Sequence, residues 1–458
     1  MSKRLKFAAA TLSVSALVLG GCGAPKGTGS DSTEAKLPTC PIKAFEDASG
    51  PIKLNFWFGE TGPPVDAVKN LVKRYNASQK KVVVTATNQG NGDEVDAKFR
   101  NSLDSGQLPD FAELYDQPSA VDSGKLLSAE ACMKQSGFDV KTINPAIYAT
   151  GTTNGKFWPV YRGVNEALMY FNGAALDAVK LKPPTTLDEL YTAAKALKAA
   201  GFKAPIALGS DRTGTIPLSE LVSVWLTNEK QTIVNKDNAR AGDPTKATLD
   251  NEAAKKVLDF VAKLKKEGLV TPTTGVNNLY ALAQGSSAIT FDVSGAALGI
   301  AQVVGADAKT AAAFQSARLP GISGPIASAG EPGPGFYILN TSKPEVQGAA
   351  WDFASFMLKQ EQGMSWLKEG SYLPFQSNVA DAAKSYYTGG TIDGRLMAPG
   401  AEQLAAATSS LATPQLPTDV LKPLDAAVQG MLVGNKSAAD ALNEAVSGMN
   451  AAIQQYYH

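Results

Sequence analysis

The stretch Gly155–Gly201 decides the fold: GKFWPVYRGVNEALMYFNGAALDAVKLKPPTTLDELYTAAKALKAAG. Its apolar run Ala167–Phe171 predicts a buried strand, which Asn172-Gly173 ends. The Pro-Pro-Thr-Thr segment that follows stops the chain. Thr186 and Glu189 then have the spacing of a capping box, in which the hydroxyl accepts from the N3 amide and the carboxylate reaches back. The stretch therefore predicts an aromatic turn, a strand and an amphipathic helix in that order.

The order of these pieces resembles the bacterial extracellular solute-binding proteins that feed ABC importers, the family that includes maltose-binding protein. In that family the equivalent run carries the first crossing between two lobes. The segments that carry the resemblance here are Gly155-Lys156-Phe157-Trp158-Pro159, Leu168-Met169-Tyr170-Phe171-Asn172 and Pro183-Pro184-Thr185-Thr186-Leu187-Asp188-Glu189-Leu190. Further matches are Ser105–Asp110, Gln284–Phe291, Gly333–Ile338 at a second crossing and Gly370–Pro374 at a third.

The resemblance covers about residues 50 to 455 and implies an α/β, type II-like periplasmic-binding fold. Each lobe is expected to be a sheet flanked by helices, with three crossings forming the hinge. The residues support this independently, since three strands alternate with two amphipathic helices between Leu54 and Tyr115, a pattern typical of a parallel sheet. We expect residues 50–166 and 338–374 to form the N-terminal lobe. Residues 167–337 and 375–458 are expected to form the C-terminal lobe.

The N-terminus has the pattern of a targeting segment. Lys3, Arg4 and Lys6 precede a short apolar run, which is too short to span a membrane. Leu19-Gly20-Gly21-Cys22 resembles a lipobox, so residues 1–21 are expected to be a signal peptide and Cys22 to be lipidated. An ordinary secretory signal with an incidental cysteine is the alternative. Residues 22–49 are expected to be a flexible tether that anchors the chain to the outer face of the cell membrane.

Two further cysteines, Cys40 and Cys132, remain in the exported chain. An oxidising compartment favours a disulfide between them, which would pin the tether to the first lobe. The alternative is a pair of buried thiols.

Composition excludes several classes of chemistry. The single histidine is His458, so a catalytic triad or a His-based metal site is not expected. There is no P-loop lysine motif. Lysine and arginine number 43, as do aspartate and glutamate, so there is no basic excess for nucleic acid. We expect no cofactor, no metal and no enzymatic activity, although a carboxylate-pair glycosidase stays open on composition alone.

Candidate ligand contacts of the first lobe follow the predicted strands. A sugar cleft combines aromatic faces with carboxylate and amide groups, and such groups lie at the carboxyl ends of strands. The rule selects Trp57, Glu60, Gln89, Asn91 and Asp116. Each also has a structural interpretation: a core position for Trp57, a solvated charge or helix partner for Glu60, turn residues for Gln89 and Asn91, and a helix cap for Asp116.

The crossings and the second lobe supply the remaining candidates, which are Tyr161, Arg162, Trp225, Asp292, Gly335, Phe336 and Tyr372. Arg162 precedes the first crossing strand, with a structural ion pair as its alternative. Trp225 has helical spacing with Leu221, which is equally typical of a core residue. Asp292 is expected to end an apolar strand.

The ligand is expected to be a neutral mono- or oligosaccharide. The sequence resembles both the sugar branch and the glycerol-3-phosphate branch, the latter through Phe56–Pro63 and Gly370–Pro374. That branch usually carries an Arg after the third crossing, and Ala405–Thr418 has none. Glycerol-3-phosphate or a related polyol phosphate is therefore the first alternative.

Other classes stay open at this point. A surface-anchored, polysaccharide-active enzyme or adhesin is the second alternative, and an oligopeptide or polyamine binder is the third. The resemblance implies ABC permease subunits as partners, an ATPase on a separate subunit, and a monomeric binding protein.

Overall fold

A computed structural model describes residues 39–211, 216–304, 308–327, 333–409, 414 and 416–457. The predicted signal peptide 1–21, the lipidation site Cys22 and the tether as far as residue 38 lie outside the described residues. In the part of the chain that is described, none of the helices combines the length and apolar character needed to cross a membrane.

The first lobe is built on one five-stranded sheet. Its strands are β1 (Ile52–Phe58), β2 (Val82–Asn88), β3 (Phe111–Leu114), β4 (Leu126–Leu127) and β12 (Gly335–Leu339), and the hairpin β5 (Thr152–Thr153) and β6 (Lys156–Phe157) follows nearby in the chain. Its helices are α1 (Ile42–Asp47), α2 (Pro63–Ser78), α3 (Gly92–Ser105), α4 (Gln117–Asp122), α5 (Ala129–Ser136), α6 (Pro145–Thr150), α15 (Pro344–Met357) and α16 (Gln360–Gly370), with a 3-10 turn at Val140–Thr142.

The strand order is β2-β1-β3-β12-β4. Strand β1 is parallel to β2 and β3, as the alternation of strands and helices predicts, whereas β12 is antiparallel to β3 and β4. Alternate residues of β1 are buried, from Ile52 to Phe58, so one face of the strand joins a hydrophobic core that continues to Leu168 and Tyr170 of the second sheet. The opposite face of the sheet packs on α3 through Val95 and Phe99.

The second lobe is built on another five-stranded sheet, ordered β11-β7-β10-β8-β9. Its strands are β7 (Ala167–Asn172), β8 (Ile206–Gly209), β9 (Val270–Thr273), β10 (Ile289–Val293) and β11 (Phe314–Arg318). Its helices are α7 (Gly173–Ala178), α8 (Leu187–Ala199), α9 (Leu218–Asn228), α10 (Asn235–Asn238), α11 (Glu252–Lys266), α12 (Asn277–Ala283), α13 (Ala296–Val304), α14 (Ala308–Ala313), α17 (Ser377–Thr388), α18 (Ile392–Ala406), α19 (Thr418–Leu432) and α20 (Ala438–Tyr457).

Local signals define the helix starts in this lobe. The Thr186 hydroxyl accepts from the Glu189 amide at 3.2 Å, as the capping box predicts. The Glu189 carboxylate reaches one residue further than expected and accepts from the Thr185 amide and hydroxyl at 2.7 and 2.8 Å. Asn251 caps α11 by accepting from the Ala254 amide at 2.9 Å. The two-lobe α/β fold with helix-flanked sheets is confirmed.

The predicted tether is too long at its C-terminal end. Residues Ile42–Asp47 form α1, and Phe45 packs on the core beside Gly348 of α15. The structure joins Cys40 to Cys132 of α5 by a disulfide with 4.8 Å between the Cα atoms. The segment from Cys40 onward is therefore folded, because a covalent link and an apolar contact hold it to the first lobe.

The predicted lobe boundary between residues 337 and 338 falls inside a strand. All of β12, from Gly335, pairs with β3 of the first sheet. The chain therefore returns to the first lobe before Gly335, because the ladder hydrogen bonds begin there. The boundaries after 166 and 374 stay predictions.

Candidate functional site

Three segments connect the two sheets, and the first is hydrogen-bonded to the other two. Val160 exchanges backbone hydrogen bonds with Phe336 at 2.8 and 2.9 Å. Val164 does the same with Leu373 at 2.9 Å in both directions. Arg162 lies two residues from each of these bridges, so the point where the segments meet carries a charged side chain.

Arg162 is buried between two carboxylates. It is 2% exposed, and its Nη1 lies 2.7 Å from Oε1 of Glu113 on β3. It also forms an ion pair with Glu60, which follows β1. Its Nη2 donates to the Tyr372 hydroxyl at 2.7 Å, and that hydroxyl donates to Glu60 Oε1 at 3.0 Å. We call Glu60, Glu113, Arg162 and Tyr372 the hinge cluster.

Aromatic rings cover the guanidinium group. Its central carbon lies 4.3 Å from the ring centre of Tyr372, 4.9 Å from that of Trp366 and 5.4 Å from that of Phe336. Cations are attracted to ring faces within about 6 Å, and more strongly where water is excluded. The rings therefore stabilise a charge that burial would otherwise disfavour.

Tyr372 fits against a glycine from each crossing. A Cβ at Gly163 would lie 2.5 Å from the Tyr372 Cβ, and one at Gly333 would lie 2.9 Å from its ring. A Cβ at Gly370 would lie 3.1 Å from the same ring. Side chains at the first two positions would overlap the tyrosine, so these glycines are required by space rather than by an unusual backbone angle.

Burial sets the protonation of the hinge cluster. Desolvation raises the pKa of Glu113 to about 8, although the Gly59 amide donates to its Oε2 at 3.0 Å. Desolvation also lowers the pKa of Arg162 from its ordinary value. One guanidinium cannot neutralise two buried carboxylates, so a protonated Glu113 leaves Arg162 and Glu60 as a balanced ion pair at neutral pH.

Asp116 lies where the first lobe touches the second. It caps α4 by accepting from the Ser119 amide at 3.2 Å and the Ser119 hydroxyl at 2.8 Å. Its Oδ2 also accepts from the amide of Thr418, the first residue of α19 in the second lobe, at 3.3 Å. A carboxylate at a helix N-terminus is electrostatically favourable, and here one carboxylate serves a helix from each lobe.

A second contact between the lobes involves the C-terminal helix. The Tyr456 hydroxyl of α20 donates to Oδ2 of Asp122 at 3.1 Å and lies 3.3 Å from the Ser119 hydroxyl. Tyr456 packs on the core of the second lobe, whereas α4 packs on the first sheet. We call Asp116, Ser119, Asp122, Thr418 and Tyr456 the interlobe contact.

A second buried carboxyl group, that of Asp96, lies beside Asp116. Desolvation raises the pKa of Asp96 to about 7, against hydrogen bonds from the amides of Tyr115 and Asp116 at 3.0 and 2.8 Å. Arg100 Nη1 lies 3.7 Å from Asp116 and is half exposed. Within the described residues, no group of three or more His, Cys, Asp or Glu side chains is arranged to hold a metal ion.

The structure brings four of the predicted site residues together at the hinge, namely Glu60, Arg162, Phe336 and Tyr372. Tyr161 and Gly335 lie beside them. The Tyr161 ring packs edge-on against Phe157 and Phe375, and a Cβ at Gly335 would overlap the Tyr337 hydroxyl. For Arg162 the structural interpretation, an ion pair, is the one that the structure shows.

Three first-lobe candidates make structural contacts, and their role as ligand contacts stays a prediction. Trp57 packs on the face of the sheet that carries α3, with Lys98 Nζ 4.7 Å from its ring centre. Gln89 accepts from the same lysine at 2.7 Å. Asn91 caps α3 in a capping box with Glu94. Trp57 lies inside β1, so its side chain points to the face of the sheet opposite Phe56 and Phe58.

Two second-lobe candidates are buried away from solvent. Trp225 is 1% exposed in the core and donates to the Pro320 carbonyl at 2.8 Å, because its helix is apolar on nearly all sides. Asp292 lies inside β10 rather than after it, and accepts from the Asn278 amide group at 2.9 Å and from the Val293 amide at 2.8 Å.

Sequence reasoning missed Glu113, Thr418 and Tyr456. Glu113 had a usable signal, since a single carboxylate within the short buried strand Phe111–Leu114 requires a partner. Thr418 contributes only its backbone amide, which no residue pattern identifies. Tyr456 lies near the end of a helix 334 residues from Asp122, so only the tertiary fold shows the pairing.

The family model for "Bacterial extracellular solute-binding protein" matches residues 70–388. The chain belongs to this family. The family's expected placement outside the cytoplasm agrees with the paired cysteines. Its solved relatives share the two-lobe architecture described above.

Two solved structures illustrate the likeness. The cyclic α-maltosyl-1,6-maltose binding protein from Arthrobacter globiformis is 25% identical with a TM-score of 0.71, covering 89% of this chain and 100% of that one. The sugar-binding protein MalE from Xanthomonas citri is 15% identical with a TM-score of 0.72, covering 88% and 98%. The second likeness concerns the fold alone.

Curated relatives match over a shorter stretch. The sn-glycerol-3-phosphate-binding periplasmic protein UgpB of Brucella suis is 25% identical over 246 residues, which is 52% of this chain and 56% of the relative. UgpB of Brucella abortus is 26% identical over 225 residues, 47% and 51% of the two chains. The chain spans about half the length of the curated relatives it matches.

Proposed function

We propose that this solute-binding protein captures a carbohydrate between its lobes and delivers it to an ABC importer. The observation that carries the proposal is the position of Asp116, a carboxylate acceptor at the junction of the lobes. Carboxylates accept hydrogen bonds from sugar hydroxyls, and a cleft between lobes can enclose a small ligand. Asp116 is the ligand contact that we propose first, with Glu60 and Tyr372 at the hinge.

Charge at this junction favours a neutral ligand over a phosphate. Asp116 and Asp122 both contribute carboxylates there, and a dianionic phosphate would be repelled by them. Arg162, which would bind a phosphate well, is already paired with Glu60 and Glu113. The Arthrobacter relative is named for an oligosaccharide that it binds.

Glycerol-3-phosphate is the second candidate ligand. The observation that favours it is the name of the Brucella relatives. Arg100 is half exposed beside Asp116 and would supply a cation for a phosphate there.

The delivery route forms a further part of the proposal. We infer that Cys22 carries a lipid that anchors the chain outside the cell membrane. Permease subunits of the importer receive the ligand from a monomeric binding protein, and no chemical step occurs on this chain. Cys22 and Cys40 are eighteen positions apart, so a linker of about that length would lie between the lipid and the disulfide that holds Cys40 to the first lobe.

The test is a thermal-shift screen of the full chain against maltose, maltotriose, trehalose, sn-glycerol 3-phosphate and inorganic phosphate. A ligand at one hundred times its Kd stabilises the folded chain by about 2.7 kcal/mol. We expect a shift with a sugar, unchanged sugar on chromatography afterwards, and a smaller shift for Asp116→Asn. The exposed Asp104→Asn is the matched control.

Other outcomes would change the conclusion. A shift with glycerol 3-phosphate alone would select the second candidate. Release of a shorter sugar from an oligosaccharide would identify an enzyme and contradict the binding-protein proposal.

A further inference from the structure

The interlobe contact joins the lobes through groups of this chain alone. The Asp116 carboxylate accepts from the Thr418 amide at 3.3 Å, and the Tyr456 hydroxyl donates to Asp122 at 3.1 Å. Ser119 links the two pairs, because its hydroxyl donates to Asp116 and lies within reach of Tyr456. The two contacts therefore form one connected network across the junction.

The network also offsets a repulsion between the lobes. Burial raises the pKa of Asp122, and the charges of Asp243 in the second lobe and of Asp116 raise it further, so like charges approach each other here. The hydrogen bond from Tyr456 acts in the opposite direction on the same carboxylate. Among the described residues, the Tyr456 hydroxyl is the donor that the second lobe presents to Asp122.

The interlobe contact can also break when the lobes separate. The Tyr456 side chain is half-buried and Asp122 lies at the edge of the junction, so water can replace each partner when the lobes separate. Hydrogen bonds to ionised groups nevertheless contribute more than neutral ones. A contact of this kind biases an equilibrium between two arrangements without locking it.

We propose that the interlobe contact is a latch through which this chain populates a closed arrangement of its lobes in the absence of ligand. Tyr456 and the Thr418 amide are positioning groups: they hold α4, and with it Asp116, against the second lobe. The inference rests on the proposed function only in taking the junction to be the ligand site. Its test needs no ligand, so it can fail while the proposed function stands, and the reverse also holds.

The experiment measures the distance between the lobes by double electron–electron resonance on the full chain. Spin labels are attached at Asp104→Cys on α3 and Lys256→Cys on α11, both exposed, in a Cys22→Ser background. Tyr456→Phe keeps the ring and removes the hydroxyl. We expect the ratio of open to closed populations to rise about tenfold, which corresponds to about 1.4 kcal/mol at 25 °C.

A second variant tests the other half of the latch. Thr418→Pro removes the amide that reaches Asp116, at a first helical position that favours proline. Pro417 already has the extended backbone that a following proline requires, with φ −55° and ψ 142°. We expect the ratio of open to closed populations to rise in this variant too, while the helix content measured by circular dichroism stays unaltered.

Tyr280→Phe is the matched control, because Tyr280 is an exposed tyrosine of α12 that is 47% accessible. Its distance distribution should equal that of the parent chain. A parent chain that is open without ligand would overturn the proposal. So would a closed population that is unchanged in both Tyr456→Phe and Thr418→Pro.

Discussion

The hinge cluster and the interlobe contact both join distant parts of the chain, but they differ in their exposure to water. Arg162 is 2% exposed and meets Glu113 and Tyr372 at 2.7 Å. Tyr456 is half-buried and meets its partners at 3.1 and 3.3 Å. Breaking a buried ion pair leaves an uncompensated charge, whereas water replaces a lost partner at the surface.

Because of this difference, we expect the hinge cluster to stay intact while the interlobe contact opens and closes. Glu60 and Glu113 belong to the first lobe, and they hold the first and third crossings there through Arg162 and Tyr372. We therefore expect bending to occur on the second-lobe side of Val164 and Leu373, where the backbone bridges end. Changes in the hinge cluster should lower the stability of the whole chain, and changes in the interlobe contact should alter the arrangement of the lobes.

The largest effect is expected from Arg162→Met. The variant keeps an apolar side chain of similar length but leaves the buried Glu60 carboxylate without its cation, and it removes the guanidinium beside Glu113. We expect the free energy of unfolding to fall by about 3–5 kcal/mol, measured by urea unfolding followed by tryptophan fluorescence. Arg74→Met is the control, since Arg74 pairs with Glu369 while one third exposed and should lose about 0–1 kcal/mol. Equal losses in the two variants would contradict a special role for the buried pair.

The next effect is a pH dependence that Glu113→Gln should remove. The folded carboxyl keeps its proton to about pH 8, whereas an ordinary glutamate loses it near 4.5. Between these values the folded chain binds more protons, so its stability falls as pH rises. The contribution is full below about pH 4.5 and lost above about pH 8, with an upper bound on the order of 5 kcal/mol.

Urea unfolding at several pH values tests this expectation. Glu113→Gln should be more stable than the parent chain at pH 8.5, and the difference should shrink toward pH 5. Asp96, whose pKa is also raised, is present in both proteins, and its charge is one of the causes of the raised Glu113 pKa. The difference between the two proteins therefore reports Glu113 together with its coupling to Asp96. Parallel stability curves for the two proteins would show that Glu113 ionises normally in the folded chain.

A smaller effect is expected from Gly163→Ala. The new Cβ would lie 2.5 Å from the Tyr372 Cβ and 3.1 Å from the Leu373 carbonyl oxygen. Overpacking of this kind costs about 1–3 kcal/mol, visible as a lower denaturant midpoint with an unchanged slope. Gly299→Ala in α13 is the control, because no atom lies within 4 Å of its new Cβ. Helix propensity should make that variant equal to or more stable than the parent.

The same contrast explains what the sequence could predict. The Thr186 cap, the apolar strand Ala167–Phe171 and the alternation of strands and helices are local patterns, and they predicted a capped helix, a buried strand and a parallel sheet. The two-lobe arrangement was predicted from the family resemblance that these segments carry. Glu60 and Arg162 were found because both lie next to strands, where the family places functional groups. Their alternatives could not be separated, because an ion pair depends on Glu113, 49 residues from Arg162 in the chain and hidden in an apolar strand.

Pairings across the junction could not be predicted for a different physical reason. Asp116 was selected, and its alternative as a helix cap is also what the structure shows, since a cap needs only three residues of local sequence. Its partner Thr418 is 302 residues away and contributes only its backbone. Residue type carries no information about such a contact, which forms only where the fold brings the two lobes together.

The smallest effect on stability is expected from Ser119→Ala, which removes the hydroxyl shared by both halves of the interlobe contact. The free energy of unfolding should change by about 0.5–1.5 kcal/mol, because water reaches the groups that lose a partner. Ser105→Ala is the control, since the Ser105 hydroxyl donates only to the local Ser102 carbonyl and accepts a local amide. Both variants should unfold at similar urea concentrations, yet only Ser119→Ala should increase the open population between labelled lobes. A loss of stability as large as that of Gly163→Ala, without a change in lobe separation, would make the interlobe contact part of the permanent structure, and the distinction between a fixed hinge and a releasable junction would fail.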